Sequence, residues 1–546
     1  MTLTATPPSR VSVPRLSPLA LDDRLRTGAE IAVLDVREVG VFSRKHLLLA
    51  APAPLARLEL LIDRLVPRRQ TPVVLVDLDE SLVNVAAARL QRLGYTDLSV
   101  LAGGTLAWEA AGLEVFTGEN VPSKAYGEFI EVEAHTPWID VEGLRSRIAS
   151  GEKLVIVDGR TPEEFANFSL PGAHSVPNGE LALRIRELAP DPKTLVVVNC
   201  AGRTRSIVGA QTLIDAGLPN PVVSLKDGTM AWLLAGHTLD HGRVTPLPEP
   251  TPEHVAAARV GAQAWSRRAG VRSIDTAELA RLEADSSRTI YHLDTRGADE
   301  YRSGHLPGWR WAPGGQLVQA TDQYVATRGA RVVLADWDGV RAHVTGALLA
   351  QLGGLEVLVY APPAHAALET GEERWKLLRD PALADAPLLS PLQAHDLAQS
   401  GAAVLFDVDR SLPYAKRHAV GAWFAAPSRV HQFLPTHATG KIVILTSADG
   451  VLAQRVASDL RQQGVEARAI RGGNAAWFEA LLPTGTGHAK VLTGDDDAWY
   501  SGYAYEDIAE RNARFQEYLQ WEVNLADQLP RPGARPPFRV FRQATA

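Results

Sequence analysis

One cysteine, Cys200, occurs in the chain, and two arginines follow it closely in Cys200-Ala201-Gly202-Arg203-Thr204-Arg205-Ser206. The run Leu195-Val196-Val197-Val198-Asn199 before it reads as a buried strand, and Ile207, Ala210, Leu213 and Ile214 behind it recur at helical spacing. Cys200 is therefore expected on a strand-to-helix loop, with residues 201–206 forming a turn whose backbone N–H groups point at the sulfur. The thiolate is the nucleophilic form of cysteine. A helix N-terminus and the guanidinium groups of Arg203 and Arg205 favour it. A buried structural cysteine gains nothing from two arginines so near, so the pattern points to a nucleophile that meets an anion.

Internal repeats supply the elements that must hold this loop. The phrase Gly103-Gly104-Thr105-Leu106-Ala107-Trp108 returns as Asp227-Gly228-Thr229-Met230-Ala231-Trp232 and as Gly472-Gly473-Asn474-Ala475-Ala476-Trp477. The second interval is about twice the first, so one copy lacks the phrase. A strand ending in Asp finds it, in Leu34-Asp35-Val36-Arg37, Val157-Asp158-Gly159-Arg160, Leu293-Asp294-Thr295-Arg296 and Phe406-Asp407-Val408-Asp409. Four copies follow, at 15–118, 136–240, 270–372 and 388–486, with an extension at 487–546 and a Pro-rich connector from Thr245 to Pro252. Short Val/Ile/Leu strands alternate with amphipathic helices in each. The expected fold class is α/β, each copy a mostly parallel sheet with helices on both faces and any site at the carboxyl ends of its strands.

The combination of Val157-Asp158-Gly159-Arg160, Leu170-Pro171-Gly172-Ala173, Cys200-x4-Arg205-Ser206 and Gly228-x2-Ala231-Trp232 resembles the rhodanese (sulfurtransferase) domain. As four tandem copies over 15–486, the chain resembles the multi-domain rhodanese-related sulfurtransferases of bacteria. The resemblance implies a persulfide on Cys200, an anion cradle in Ala201, Gly202, Arg203, Thr204, Arg205 and Ser206, and supporting roles for Asp158 and Arg160. It also implies a small-molecule sulfur donor such as thiosulfate, a thiol or cyanide acceptor, and no cofactor. Aligned on Gly94, Gly217, Gly353 and Gly464, the other copies carry Asp77, Asp336 and Ser447 in place of Cys200. Arg203 faces Glu80, Gly339 and Gly450, while Arg205 faces Leu82, Arg341 and Leu452. Copies one, three and four are therefore expected to be catalytically silent. The four-residue separation of Cys200 from Arg205 gives a smaller ring than related phosphatases use, and the loop supplies no general acid.

Composition narrows the alternatives. A net charge of −7 without a basic run argues against nucleic acid. A lone cysteine forbids an internal disulfide and suits a reducing cytoplasm, and neither a signal core nor a membrane span is apparent. His237 and His241 are four apart but lack further ligands, so no metal site is expected. Asp495-Asp496-Asp497 reads as a solvated turn. Residues 505–525 form a helical pattern with Ile508, Phe515, Tyr518, Leu519 and Leu525 near one face, suited to packing on a domain or, in a homo-oligomer, on a second subunit. Two rival functions remain: a persulfide- or redox-sensing module without efficient turnover, and a cysteine phosphatase or arsenate reductase on the same fold.

Overall fold

The computed structural model describes residues 13–373, 376–381, 383–494 and 496–541. The chain divides into two compact units, and the division is not sequential. One holds Met1–Arg24, Ile31–Glu119 and Trp375–Tyr500; the other holds Leu25–Glu30, Asn120–Arg374 and Ser501–Ala546. The first and fourth copies thus share a unit, and the second and third share the other with the C-terminal segment.

The second copy shows how each sheet is built. Its strands are β1 (Trp138–Ile139), β2 (Leu154–Asp158), β3 (His174–Ser175), β4 (Leu195–Asn199) and β5 (Val222–Leu225). They lie in the order β1-β5-β4-β2-β3, all parallel. Strand β4 is central and buried along its whole length, which explains its unbroken apolar run. Val155, Val157, Val196 and Val198 pack on one side of the sheet with Leu181, Ile185 and Leu213. Ile156, Leu195 and Val197 pack on the other with Phe165, Leu225 and Trp232. The corresponding strands of the other three copies have the same order.

Two helices fall in the connectors between copies: α1 (Val121–Ala134) ahead of the second and α2 (Pro252–Arg268) ahead of the third. Thr251 caps α2 by accepting the His254 N–H at 3.4 Å, and Pro252 occupies its first turn, where no intrahelical N–H is needed. The Pro-rich connector therefore ends as a helix start.

The repeated Asp-x-Arg phrase is a buried fork. Arg160 donates from Nε and Nη2 to the two carboxylate oxygens of Asp158 at 2.9 Å each, and from Nη2 to the Phe168 carbonyl at 2.6 Å. Arg37 with Asp35 and Arg296 with Asp294 repeat it. Each fork ties a strand end to the loop after it with charge-assisted bonds. The fourth copy has Asp409 where the arginine should be. Asp407 accepts from the Asn474 amide at 2.8 Å instead, and burial pushes its carboxyl up to about 7. The folded chain thus holds this proton to higher pH than the unfolded one, so stability is lost as pH rises from about 4 to about 7 and then levels off. Asp407→Asn removes the dependence. Its stability gain over wild type in urea melts is expected to be larger at pH 8 than at pH 5 by up to about 2.6 kcal/mol, the share of the pKa difference that falls between those pH values; equal gains would refute the assignment.

Candidate active site

Cys200 follows β4 directly, and the helix behind it, α3 (Thr204–Asp215), begins within the loop. The side chain is 2% exposed. Helix α4 (Gly228–Leu234) explains why the glycine-tryptophan phrase repeats. Its first N–H groups reach the loop carbonyls, Thr229 donating to Cys200 at 2.9 Å and Met230 to Ala201 at 3.0 Å. A Cβ on Gly228, whose φ is +53°, would stand 2.3 Å from the Cys200 carbonyl oxygen, so only glycine allows this approach. Copies one and four make the same grip, from Thr105 to Asp77 at 2.9 Å and from Asn474 to Ser447 at 2.8 Å. Trp232 closes the motif by donating to the Thr238 carbonyl at 2.8 Å.

Loop carbonyls held outward leave loop N–H groups facing inward, and the Ser206 N–H meets the Cys200 sulfur. On the other side, the Asn178 amide donates to the Arg205 carbonyl at 2.9 Å. Thr204, Arg205 and Asn178 also line a narrow cleft shared with Gly314 and Thr345 of the third copy.

Both arginines are committed to carboxylates. Arg205 forks onto Glu164 at 2.7 and 2.8 Å. Burial opposes the charge on Glu164, but the Arg205 hydrogen bonds outweigh it and hold the carboxyl at about 2. Arg203 points into a cage of Glu128 at 2.8 Å, Asp227 at 2.8 Å and Glu131. Glu128 and Glu131 come from α1, in the connector. Burial pushes Glu128 up to about 7 against the pull of Arg203.

The ionisation expected from sequence needs correction. Burial is the largest influence on Cys200 and raises its pKa; Arg205 and the Ser206 N–H only partly offset it, and Glu522 adds to the rise. Arg203 spends its charge on its own cage. Sequence spacing sees charges near the sulfur but not the solvent that folding removes.

The C-terminal segment packs over the loop. Tyr503 donates from its hydroxyl to the Ala201 carbonyl at 3.1 Å and pairs with the Thr229 hydroxyl at 2.6 Å. In helix α5 (Ile508–Gln528), Glu522 accepts from the Thr204 hydroxyl, and Tyr518 stands over Gly202. Phe515, Glu522 and Leu525 form the buried face, whereas Ile508, expected on it, is 63% exposed. The placement of Glu522 inside is invisible to apolar periodicity. Asp496 and Asp497 are buried rather than solvated: Asp496 pairs with Arg44 and Arg429, and Asp497 accepts from Ser411 at 2.7 Å. Asp495 lies outside the described residues. His237 packs its ring on Trp232, and His241 Nδ1 lies 2.7 Å from the Asn167 carbonyl.

At the cysteine position the other copies fill the same cradle from within. Asp77 accepts from the N–H groups of Glu80, Leu82 and Val83 at 2.6, 2.6 and 3.1 Å. Asp336 accepts from Gly339 and Ala342 at 2.7 Å each, and Ser447 accepts from Ala453 at 3.2 Å. Val83, Ala342 and Ala453 stand six residues on, as Ser206 does from Cys200. The third copy also keeps the outer fork, Arg341 binding Glu300 as Arg205 binds Glu164.

Comparison with known proteins bears on the family and the fold. A family model described as rhodanese-like domain matches residues 17–111 and 140–235. A curated sulfurtransferase from Allochromatium vinosum is 34% identical over 98 residues, 18% of this chain and 89% of the relative. The putative sulfur carrier protein YrkF of Bacillus subtilis is 23% identical over 169 residues, 30% of this chain and 89% of the relative. The crystal structure of thiosulfate sulfurtransferase from Pseudomonas aeruginosa superposes with a TM-score of 0.91 at 40% identity, covering 97% of this chain and 100% of that one. Among the described residues no helix is long and apolar enough to cross a membrane. With the same strand order in four sheets and full-length likeness to a solved sulfurtransferase, the chain belongs to the rhodanese family as a multi-domain sulfurtransferase.

Proposed function

We propose that the protein moves sulfane sulfur from an anionic donor such as thiosulfate to a thiol or cyanide acceptor through a persulfide on Cys200. The observation that carries this reading is that, of the four cradles, this one holds a sulfur, met by the Ser206 N–H, where the others hold a carboxylate or hydroxyl. Sulfur transfer on the thiolate needs no cofactor: the Sγ lone pair attacks the outer donor sulfur, and the donor's S–S bond breaks with its electrons leaving on sulfite. A second thiolate or cyanide then takes the outer sulfur and returns Cys200. Loop N–H groups stabilise thiolate and persulfide alike. Arg205, nearest in charge to the thiol, supports the donor's charged end in this reading, and Arg203 contributes by fixing the loop. Asp158 and Arg160 hold the neighbouring strand end. The reaction is placed in the cytoplasm, between small molecules.

The three remaining copies act as scaffold in this proposal, because a carboxylate or hydroxyl already occupies each cradle and none is a useful attacker of sulfane sulfur.

Incubation with thiosulfate is expected to add one reducible sulfur per chain, on Cys200, by intact mass. A sulfur gained by Cys200→Ser, or none gained by wild type, overturns the persulfide mechanism. Asp77→Ala, Asp336→Ala and Ser447→Ala are expected to keep turnover within about twofold in folded protein; a loss as large as that of Cys200→Ser from any of them would make that copy a participant. Because burial raises the Cys200 pKa, the midpoint for iodoacetamide alkylation against pH is expected above the ordinary thiol value of about 8.5. Removing the opposing charge in Arg205→Ala should move it higher still, and a midpoint near 7 in wild type would contradict the burial argument.

A further inference from the structure

The Cys200 site holds a carboxylate that neither the persulfide chemistry nor the family phrases employ. Glu522 is 1% exposed. One of its oxygens accepts from Thr204, the Tyr518 phenol of the same helix is its other polar neighbour, and Oε2 lies 3.4 Å from where a Cβ on Gly202 would stand. Gly202 belongs to the cradle itself. The groups that face Glu522 are the Thr204 hydroxyl and Cys200 thiol of the loop, the Tyr518 phenol of its own helix, and Glu128 of α1, whose carboxyl is pushed up in part by Glu522. The guanidiniums nearby are spoken for: Arg160 by Asp158, Arg205 by Glu164, and Arg203 by Glu128, Glu131 and Asp227. Among the described residues, carboxylates outnumber guanidiniums around the loop and Glu522 has no ion pair; the Lys124 ammonium of α1 lies over the Tyr518 and Trp521 rings. A buried carboxylate without an ion pair, facing an anion-binding loop, is costly to keep and acts on whatever charge enters.

We propose that Glu522 is a specificity-determining residue that makes the Cys200 site discriminate by donor charge, favouring singly charged sulfane donors over doubly charged ones. The proposal rests on the reading that Cys200 accepts a sulfane sulfur. Thiosulfate and methanethiosulfonate form a matched pair of donors. Thiosulfate carries two negative charges and releases sulfite; methanethiosulfonate carries one and releases methanesulfinate. In each case the thiolate forms an S–S bond to the outer sulfur, the donor's own S–S bond breaks with its electron pair on the departing sulfur, and the total charge is unchanged. The two reactions differ in the donor's second charge. At a separation of about 6 to 8 Å and an effective dielectric of about 20, that charge against Glu522 is worth more than tenfold in affinity.

The test measures kcat/KM for both donors, each normalised to its uncatalysed reaction with a small thiol, in wild type, Glu522→Gln and Glu522→Ala, with thermal melts to establish folding and intact mass to follow sulfur on Cys200. Wild type is expected to favour methanethiosulfonate at least about tenfold, and each folded variant to shrink that ratio about tenfold, or about 1.4 kcal/mol. A merely structural role for Glu522 would lower both rates together and leave the ratio in place. An unchanged ratio in a folded variant overturns the proposal. If both variants fail to fold, a wild-type preference for thiosulfate overturns it alone. Should neither donor place sulfur on Cys200 of wild type, the persulfide reading itself fails; should both load it while the ratio stays fixed, only the role of Glu522 is lost.

Discussion

Everything at the Cys200 site depends on one exchange of hydrogen bonds: the N-terminus of the Gly228–Leu234 helix takes the outward carbonyls of residues 200 and 201. Peptide groups are rigid, so fixing those carbonyls outward commits the following amides to the interior. The same helix could not come close enough with a side chain at position 228. A turn with converging N–H groups is an anion-binding concavity whatever sits in it. What differs between copies is the occupant: a thiol in one, carboxylates in two and a hydroxyl in the fourth. A carboxylate bound by these amides satisfies them as an external anion would, although burial outweighs the amides and raises the pKa of Asp77 and Asp336 alike.

Charge around the active loop is organised to hold geometry rather than to present a cationic surface. Arg203 is surrounded by three carboxylates and is 5% exposed. Removing one partner of such a buried pair strands the other charge and costs about 3 to 5 kcal/mol, whereas the intact pair adds little net stability. Its value lies in defining where α1 and the Asp227 turn sit relative to the loop. Arg205 and Glu164 repeat the theme on the opposite side, and the third copy has the corresponding Arg341–Glu300 fork beside Asp336.

Within each unit, one copy steadies another by buried ion pairs. Arg341 of the third copy reaches Glu180 of the second at 2.8 Å, just ahead of the helix that lines the Cys200 sheet. In the other unit, Glu59 of the first copy is fully buried against Arg455 of the fourth at 2.8 Å, and the partly exposed Arg92 forks onto Asp380 of the connector ahead of the fourth. Between the second and third copies the pairing also buries an apolar cluster that joins Leu183, Ile207 and Val208 to Leu317, Val318 and Val344.

The sequence alone determined what local pattern can encode. The Leu195–Asn199 run fixed a central strand, the four Asp-ended strands and three glycine-tryptophan phrases fixed the number of sheets, and Cys200 at a strand's end placed the loop. The third copy's missing phrase was legible too, as a doubled interval. Tertiary structure decided which copies share a unit, how far the thiol is desolvated, and which carboxylates meet the arginines. Glu128, Glu131 and Glu522 reach the loop from helices outside the repeat, 72 to 318 residues from the loop residues they meet, and a polar residue among apolar ones leaves no periodic signal. Burial of Asp496 and exposure of Ile508 were missed for the same reason. Charge and hydropathy are properties of a residue, whereas desolvation and ion pairing are properties of the place where the folded chain puts it.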